Sequence, residues 1–205
     1  MIPEHTKLNM GCGLNKLNDH WNVDVESKCN PDQILDFEVT PWPYEDSFFD
    51  NITANNILEH LGQDPKVFTN IIKEMYRVSK DQAVWHVTVP HPWSHAFIND
   101  YTHVRVLTEE TFKMFDQSYN VECITKKYSD STCGMYHNVD LETLEVDREL
   151  MPYWRHLQEH GMVGSGQLEI NSNTMNNVFH KIEISMKVHK PGRFIEWFIN
   201  QTKNT

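Results

Sequence analysis

Apolar positions along the chain come in short runs, and the spacing inside each run says which element it forms. Lys7 to Met10 make a short extended run that stops at Gly11-Cys12-Gly13. Trp21 to Val25 form a second strand candidate, and Asp32 to Phe37 hold a third around Ile34 and Leu35. Phe49 to Ala54 read as a fourth strand, and Ala83 to Val89 (AVWHVTV) as a fifth that Pro90 ends. Thr40-Pro41-Trp42-Pro43 breaks regular structure, because each proline removes a donor and fixes φ. The clearest helix lies between the last two of these strands. Asp64 is placed as its N-cap and Pro65 at its first position. Val67, Phe68, Ile71, Ile72, Met75 and Tyr76 then repeat on one side.

A second helix is expected from Thr108, with Glu109 and Glu110 in its first turn. Val121 to Thr125 and Phe179 to Val188 read as late strands, and the alternation of FHKIEISMKV predicts one open face or an edge. Strands interleaved with helices predict an α/β, Rossmann-like, mostly parallel sheet. We expect helices on both faces, an antiparallel last strand and an insertion before that strand. The chain reads as one domain over 1–205. Residues 129–177 fit the sheet pattern poorly, hold the Gly-rich GMVGSG and a helix around Tyr153 to His160, and are expected to form the insertion or a lid. The C-terminal RFIEWFI is apolar almost all round and should pack on something. Together with the insertion it is the expected surface for a homo-oligomer.

Composition narrows the partners. Hydrophobic residues make up only 39 % of the chain, although 6 Trp and 10 Phe supply large core side chains. The net charge of −11 opposes binding to phosphates, so nucleic acid is not an expected partner. No run approaches the roughly 18 apolar residues of a membrane span, and the first ten residues lack the pattern of a signal peptide. The four cysteines show no CxxC or metal-ligand spacing, so a cytoplasmic protein with free thiols is expected.

The candidate chemistry sits at strand ends, where ligands bind in such sheets. Gly11 and Gly13 follow the first strand and let backbone approach a ligand closely. Asp24 ends the second strand, where a carboxylate can accept from both hydroxyls of a ribose. Asp36-Phe37 ends the third, an acid and an aromatic suited to an adenine ring. Each alone is as readily a turn or a helix cap, so their succession carries the reading. A dinucleotide fingerprint would need a glycine at position 16, where this chain has Lys16. S-adenosylmethionine has no pyrophosphate and does not need that glycine.

At this point the residues resemble a family. LNMGCG (Leu8 to Gly13), WNVD (Trp21 to Asp24) and DF (Asp36-Phe37) look like class I S-adenosylmethionine-dependent methyltransferases. PWPYEDSFFDNITANNILEHL (Pro41 to Leu61), the helix ending MYRVSK and the strand ending Val89-Pro90 are similar to the type-11 branch. The resemblance covers roughly residues 6 to 116. It implies S-adenosyl-L-methionine as cofactor, with Gly11 and Gly13 facing its methionine part and Asn9 supporting their loop. It also implies Asp24 at the ribose, Asp36 and Phe37 at the adenine, and Asn55, Leu58 and His60 along the sulfonium side. Two departures stand out. Only nine residues separate Gly13 from Val23, which predicts a stunted first helix or a loop, LNKLNDH. The usual Pro-Gly-Gly turn before the fifth strand is here Ser79-Lys80-Asp81-Gln82.

Methyl transfer needs an aligned nucleophile and, for a hydroxyl acceptor, a base near neutral pH. His60, His91 and His103 lie after the fourth and fifth strands, where that base is needed, while His86 sits inside a strand and reads as structural. His91 and His95 also suit capping of loop carbonyls. The rival for these histidines is a metal held by Glu59-His60 with His91 or His95. Adjacent residues on a helix point about 100° apart, which weakens that site, so no metal is expected. Trp42, Tyr44, Trp93 and Tyr101 are either an aromatic wall for an acceptor or core. The expected substrate is a small metabolite or glycan methylated at oxygen or nitrogen. The alternatives are a non-catalytic cofactor-binding or assembly module and a protein or nucleic-acid methyltransferase.

Overall fold

The computed structural model describes residues 3–203. Seven strands form one sheet: β1 (Lys7–Met10), β2 (Trp21–Asp24), β3 (Gln33–Ile34), β4 (Phe49–Asn55), β5 (Ser79–Pro90), β6 (Leu141–Leu150) and β7 (Phe179–Val188). Their order is β3-β2-β1-β4-β5-β7-β6. The first five pair in parallel, and β7 runs antiparallel to both β5 and β6. The expected Rossmann-like, mostly parallel sheet is what forms. The chain order reverses at β1, between β2 and β4, which puts a switch point at the end of the first strand.

The long helix α1 (Pro65–Val78) starts as expected, with the Asp64 carboxylate accepting from the Lys66 N–H and Pro65 in the first turn. Short helices α2 (His95–Ile98) and α3 (Glu109–Lys113) follow β5. Then come α4 (Gln117–Lys126), α5 (Cys133–His137), α6 (Pro152–Glu159), α7 (Ser165–Ser172) and α8 (Ile195–Lys203). Val121 to Thr125, expected as a strand, belong to α4. The reason is physical: the buried positions of this helix are Gln117, Asn120 and Cys123, a helical period written in two amides and a thiol. The Asn120 side chain donates to the Met114 carbonyl and accepts from the Met135 N–H, so its burial is satisfied. The strand expected at that place is β6, inside the segment expected as an insertion. Only residues 151–178, with α6 and α7, stand between β6 and β7. The insertion before the last strand is therefore narrower than expected.

The sheet's cover is uneven. Leu8 lies opposite Ile52, Ile52 opposite Trp85 and Trp85 opposite Met186. Met10, Ala54, Val87 and Ile184 form the next row. Both rows are buried, and Ile71, Ile72, Met75 and Val78 of α1 join the same core. The opposite face is polar: Asn9, Thr53, His86 and Ser185 form one row, and Asn55, Thr88 and Glu183 the next. Loop residues 14–20 cover this face only near β1 and β2, where Asn9 and Asn22 are buried, whereas His86 and Glu183 are exposed. Helices surround the sheet as expected, and its polar face stays open around His86 and Glu183. A half-covered sheet needs fewer apolar residues, which accounts for the low hydrophobic fraction. His86→Thr should accordingly change unfolding free energy by less than about 0.5 kcal/mol in denaturant titrations. A loss above about 1.5 kcal/mol would show that this face is covered in solution.

The C-terminal segment is tied down by Arg193. Its guanidinium donates to the fully buried Asp140 carboxylate at 2.8–2.9 Å and to Asp116 at 2.8 Å. The apolar run after it, expected to pack, is half-buried, with Phe198 edge-on to Tyr136 and Ile199 exposed. No helix among the described residues is long and apolar enough to cross a membrane. All four cysteines are free.

Candidate active site

The first part of the site is the loop leaving β1. Gly11 and Gly13 both hold left-handed backbone, at φ of 60° and 49°. A Cβ at Gly11 would stand 2.6 Å from the Ile57 side chain, whereas one at Gly13 meets nothing within 4 Å. Gly11 therefore lets the β1 loop touch the segment after β4, and the backbone at Gly13 remains open to approach. Of the stunted first helix or loop expected over LNKLNDH, a loop forms. The buried Asn9 side chain donates to the Asn15 carbonyl at 3.1 Å and to Asn22 Oδ1 at 2.9 Å, and the latter also accepts from the Leu17 N–H. A network of buried amides thus replaces helix packing in holding residues 13–20. The Cys12 thiol, buried in this loop, is pushed up to about 11, so it is not a nucleophile at neutral pH.

Asp24 closes the cradle. Its Oδ2 accepts from the Gly13 N–H at 2.8 Å and its Oδ1 from the Glu26 N–H at 2.8 Å. Each carboxylate oxygen keeps a free lone pair, and the half-exposed residue presents them to solvent. Neighbouring strand tips are stitched in sequence: the Cys12 N–H donates to the Val23 carbonyl and the Leu35 N–H to the Asp24 carbonyl. Asp36 is exposed just beyond β3, where its Oδ1 accepts from the Glu38 N–H. The Phe37 ring is placed otherwise than expected. It is buried edge-on against Trp42, with centroids 5.0 Å apart, and Trp42 donates to the Phe37 carbonyl. Leu58 is likewise fully buried, while Asn55 is exposed and accepts from the Thr88 hydroxyl. Trp42 and Tyr44 belong to the core, whereas Trp93 and Tyr101 are exposed.

The second part is a histidine pocket one turn further on. Ile57, which touches the glycine loop, leads into a 3-10 turn over Leu58–His60. The loop after α2 folds back onto this turn, as the Val104 and Arg105 N–H groups donate to the Glu59 carbonyl. This brings His103 against His60, with ring centroids 4.6 Å apart. His103 Nδ1 lies 2.8 Å from the Phe97 carbonyl, and His60 Nδ1 lies 2.9 Å from the Thr102 hydroxyl. The Thr102 hydroxyl in turn donates to Asp100 at 2.6 Å. Burial first, and then the charge of His103, hold the His60 pKa below its ordinary value. Asn56, Glu59, His60, Asp100, His103 and Lys181 line a cavity of about 220 Å³.

Glu59 is the functional residue that sequence reasoning undervalued. It is 1 % exposed, and neither carboxylate oxygen has a hydrogen-bond partner. Burial pushes its pKa up to about 7. One ligand atom each from Glu59, His60 and His103 lies within 4.8 Å of the others. The third member of this cluster is His103, not the His91 or His95 weighed from sequence. His91 lines a neighbouring cavity with Trp93, Glu109, Arg148 and Glu169, and its pKa is lowered by burial and then by Arg148. His95 is exposed at the start of α2. The signal for Glu59 was its place before His60: on a tight turn beneath a returning loop, one of two adjacent side chains goes inward.

No protein-family model matches the chain, and no curated protein does. Solved structures do resemble it. An S-adenosylmethionine-dependent methyltransferase from Archaeoglobus fulgidus is 16 % identical, with 88 % of this chain and 85 % of that one covered and a TM-score of 0.55. Another from Methanosarcina mazei is 14 % identical over 90 % of this chain and 92 % of that one, with a TM-score of 0.50. The [4+2]-cyclase SpnF is also similar, at 14 % identity, 89 % and 75 % coverage and a TM-score of 0.50. These likenesses are of architecture, and by them the chain has the fold of the class I S-adenosylmethionine-dependent methyltransferases.

Proposed function

We propose that this protein is an S-adenosylmethionine-dependent methyltransferase acting on an oxygen or nitrogen of a small metabolite or glycan. The observation that carries this reading is the Asp24 carboxylate, held by two backbone N–H groups beside a left-handed glycine loop at the sheet's switch point. Its free lone pairs suit the two hydroxyls of a ribose. The open backbone at Gly13 suits the amino-acid end of the cofactor, and the exposed Asp36 suits the adenine amino group. When bound, the cofactor supplies a methyl group already activated by a positive sulfonium. Asn9 keeps the loop in shape, and Ile57 couples it to the histidine pocket.

In that pocket His60 and His103 receive the acceptor. An imidazole Nε2 takes the proton that a hydroxyl or amine releases as its oxygen or nitrogen is methylated. The depressed pKa of His60 leaves that ring unprotonated, and so competent, at neutral pH. His91, which faces the neighbouring cavity, contacts the distal part of the acceptor rather than the reacting atom.

The test is S-adenosylhomocysteine release with pooled sugar, amine and phenol acceptors. His103→Gln should slow turnover about 10²-fold while leaving S-adenosylhomocysteine affinity unchanged. Turnover in His103→Gln equal to wild type removes this histidine from the mechanism.

A further inference from the structure

We propose that Glu59, His60 and His103 bind a divalent first-row transition-metal ion of the Zn²⁺ or Co²⁺ type. Two imidazoles and one carboxylate are a donor set that suits these ions. The ligand atoms already lie within 4.8 Å of one another. Metal bonds of about 2.1 Å bring such atoms to roughly 3–3.5 Å apart, so rotamer adjustments of about an ångström complete the site.

Two further observations point to a cation. The Glu59 carboxylate is 1 % exposed, and both its oxygens lack partners, a costly state that a metal would relieve. Arg105, whose backbone N–H donates to the Glu59 carbonyl, does not hydrogen-bond the carboxylate. Its guanidinium donates to the Gly62 carbonyl and lies 4.3 Å over the Phe68 ring. Lys181, which also lines the cavity, is neutralised by Glu149 at 3.1 Å and Glu183 at 2.7 Å.

Proton counting then fixes the imidazoles. The Phe97 carbonyl can only accept, so His103 carries its proton on Nδ1. The single hydroxyl proton of Thr102 goes to Asp100, so Thr102 accepts from His60 Nδ1–H. Both rings are thereby oriented through Nδ1 and keep the Nε2 lone pair free, the arrangement by which outer partners set metal-binding histidines. Three protein ligands beside a cavity of about 220 Å³ leave coordination positions open to a small molecule. The site itself does not depend on the cofactor. Its use does rest on the methyl-transfer reading: with the metal bound both Nε2 atoms are ligands, so the imidazole base would give way to the metal, which would polarise the acceptor oxygen so that its proton passes to solvent.

The experiment is a Co²⁺ titration of the tag-free, chelator-treated full chain, followed by calorimetry and by visible absorption. We expect one saturable Co²⁺ per chain, a ligand-field spectrum and competition by Zn²⁺. Glu59→Gln and His103→Gln should each weaken binding at least about tenfold, while His86→Gln, on the open sheet face, should not. Absence of saturable binding by wild type overturns the proposal. So does binding that both pocket variants retain, since it would then lie on surface imidazoles. The outcome is separable from cofactor binding, because no S-adenosyl compound is present.

Discussion

Metal-free Glu59→Gln should unfold at a higher temperature than wild type at pH 8, and at the same temperature near pH 4. The Glu59 carboxyl has a folded-state pKa of about 7, raised by burial from an ordinary value of 4.5. Its protonated form is therefore the one that the fold favours. Between about pH 4.5 and 7 the native state binds more protons than the unfolded state, so stability falls as pH rises and levels off above about 7. Each pH unit of displacement is worth about 1.4 kcal/mol, so ionised Glu59 costs roughly 3 kcal/mol at pH 8. Gln has the same shape and never ionises. For a chain of this size, the gain amounts to roughly 6–12 °C in Tm. Melting curves in a chelator-containing buffer series check it, and a variant that melts below wild type at pH 8 contradicts it. A residue whose removal stabilises the fold is the kind retained for function.

Gly11→Ala should lose both stability and cofactor binding. Left-handed backbone costs an alanine about 1–2 kcal/mol. Its Cβ would stand 2.6–2.9 Å from three carbons of Ile57, and relief of such an overlap costs about 1–3 kcal/mol more. Relief must come from moving the glycine loop or the turn that carries Glu59 and His60, so the damage reaches both halves of the site. Gly13→Ala carries the backbone cost without the overlap. It should be milder by about that second amount in chemical denaturation. Equal stability of the two variants would show that Ile57 does not hold the loop.

Much of the scaffold was legible because its signals are local. Asp64 and Pro65 marked the start of α1, and the Gly11-Cys12-Gly13 stop marked the end of β1. Two features escaped for definite reasons. α4 buries Gln117 and Asn120, so no apolar period announces it, and its Val121, Ile124 and Thr125 suggest a strand. β6 lies at the sheet edge with Thr143, Leu144, Glu145 and Asp147 exposed, so it lacks the apolar run of an inner strand. The open polar face around His86 and Glu183 did have a signal. Strands buried on both faces read as continuous apolar runs, whereas KLNM, WNVD and WHVT alternate.

The site divides in the same way. Gly11, Gly13 and Asp24 sit at strand ends, where topology alone brings them together. The meeting of His60 with His103, and the inward turn of Glu59, depend on a loop folding back through two hydrogen bonds to the Glu59 carbonyl. That return has no periodic pattern to announce it. Phe37, expected at the adenine, lies buried edge-on against Trp42, since an aromatic at a strand end is equally suited to the core.

The most direct measurement is isothermal calorimetry of S-adenosylhomocysteine with wild type and Asp24→Ala. Wild type should bind one molecule per chain. Asp24→Ala should bind it more weakly by about 1.5–3 kcal/mol, some 10- to 150-fold, the worth of a hydrogen bond to a charged group. No heat from wild type at saturating ligand, or equal affinity in a folded Asp24→Ala, would contradict a cofactor cradle at these strand tips.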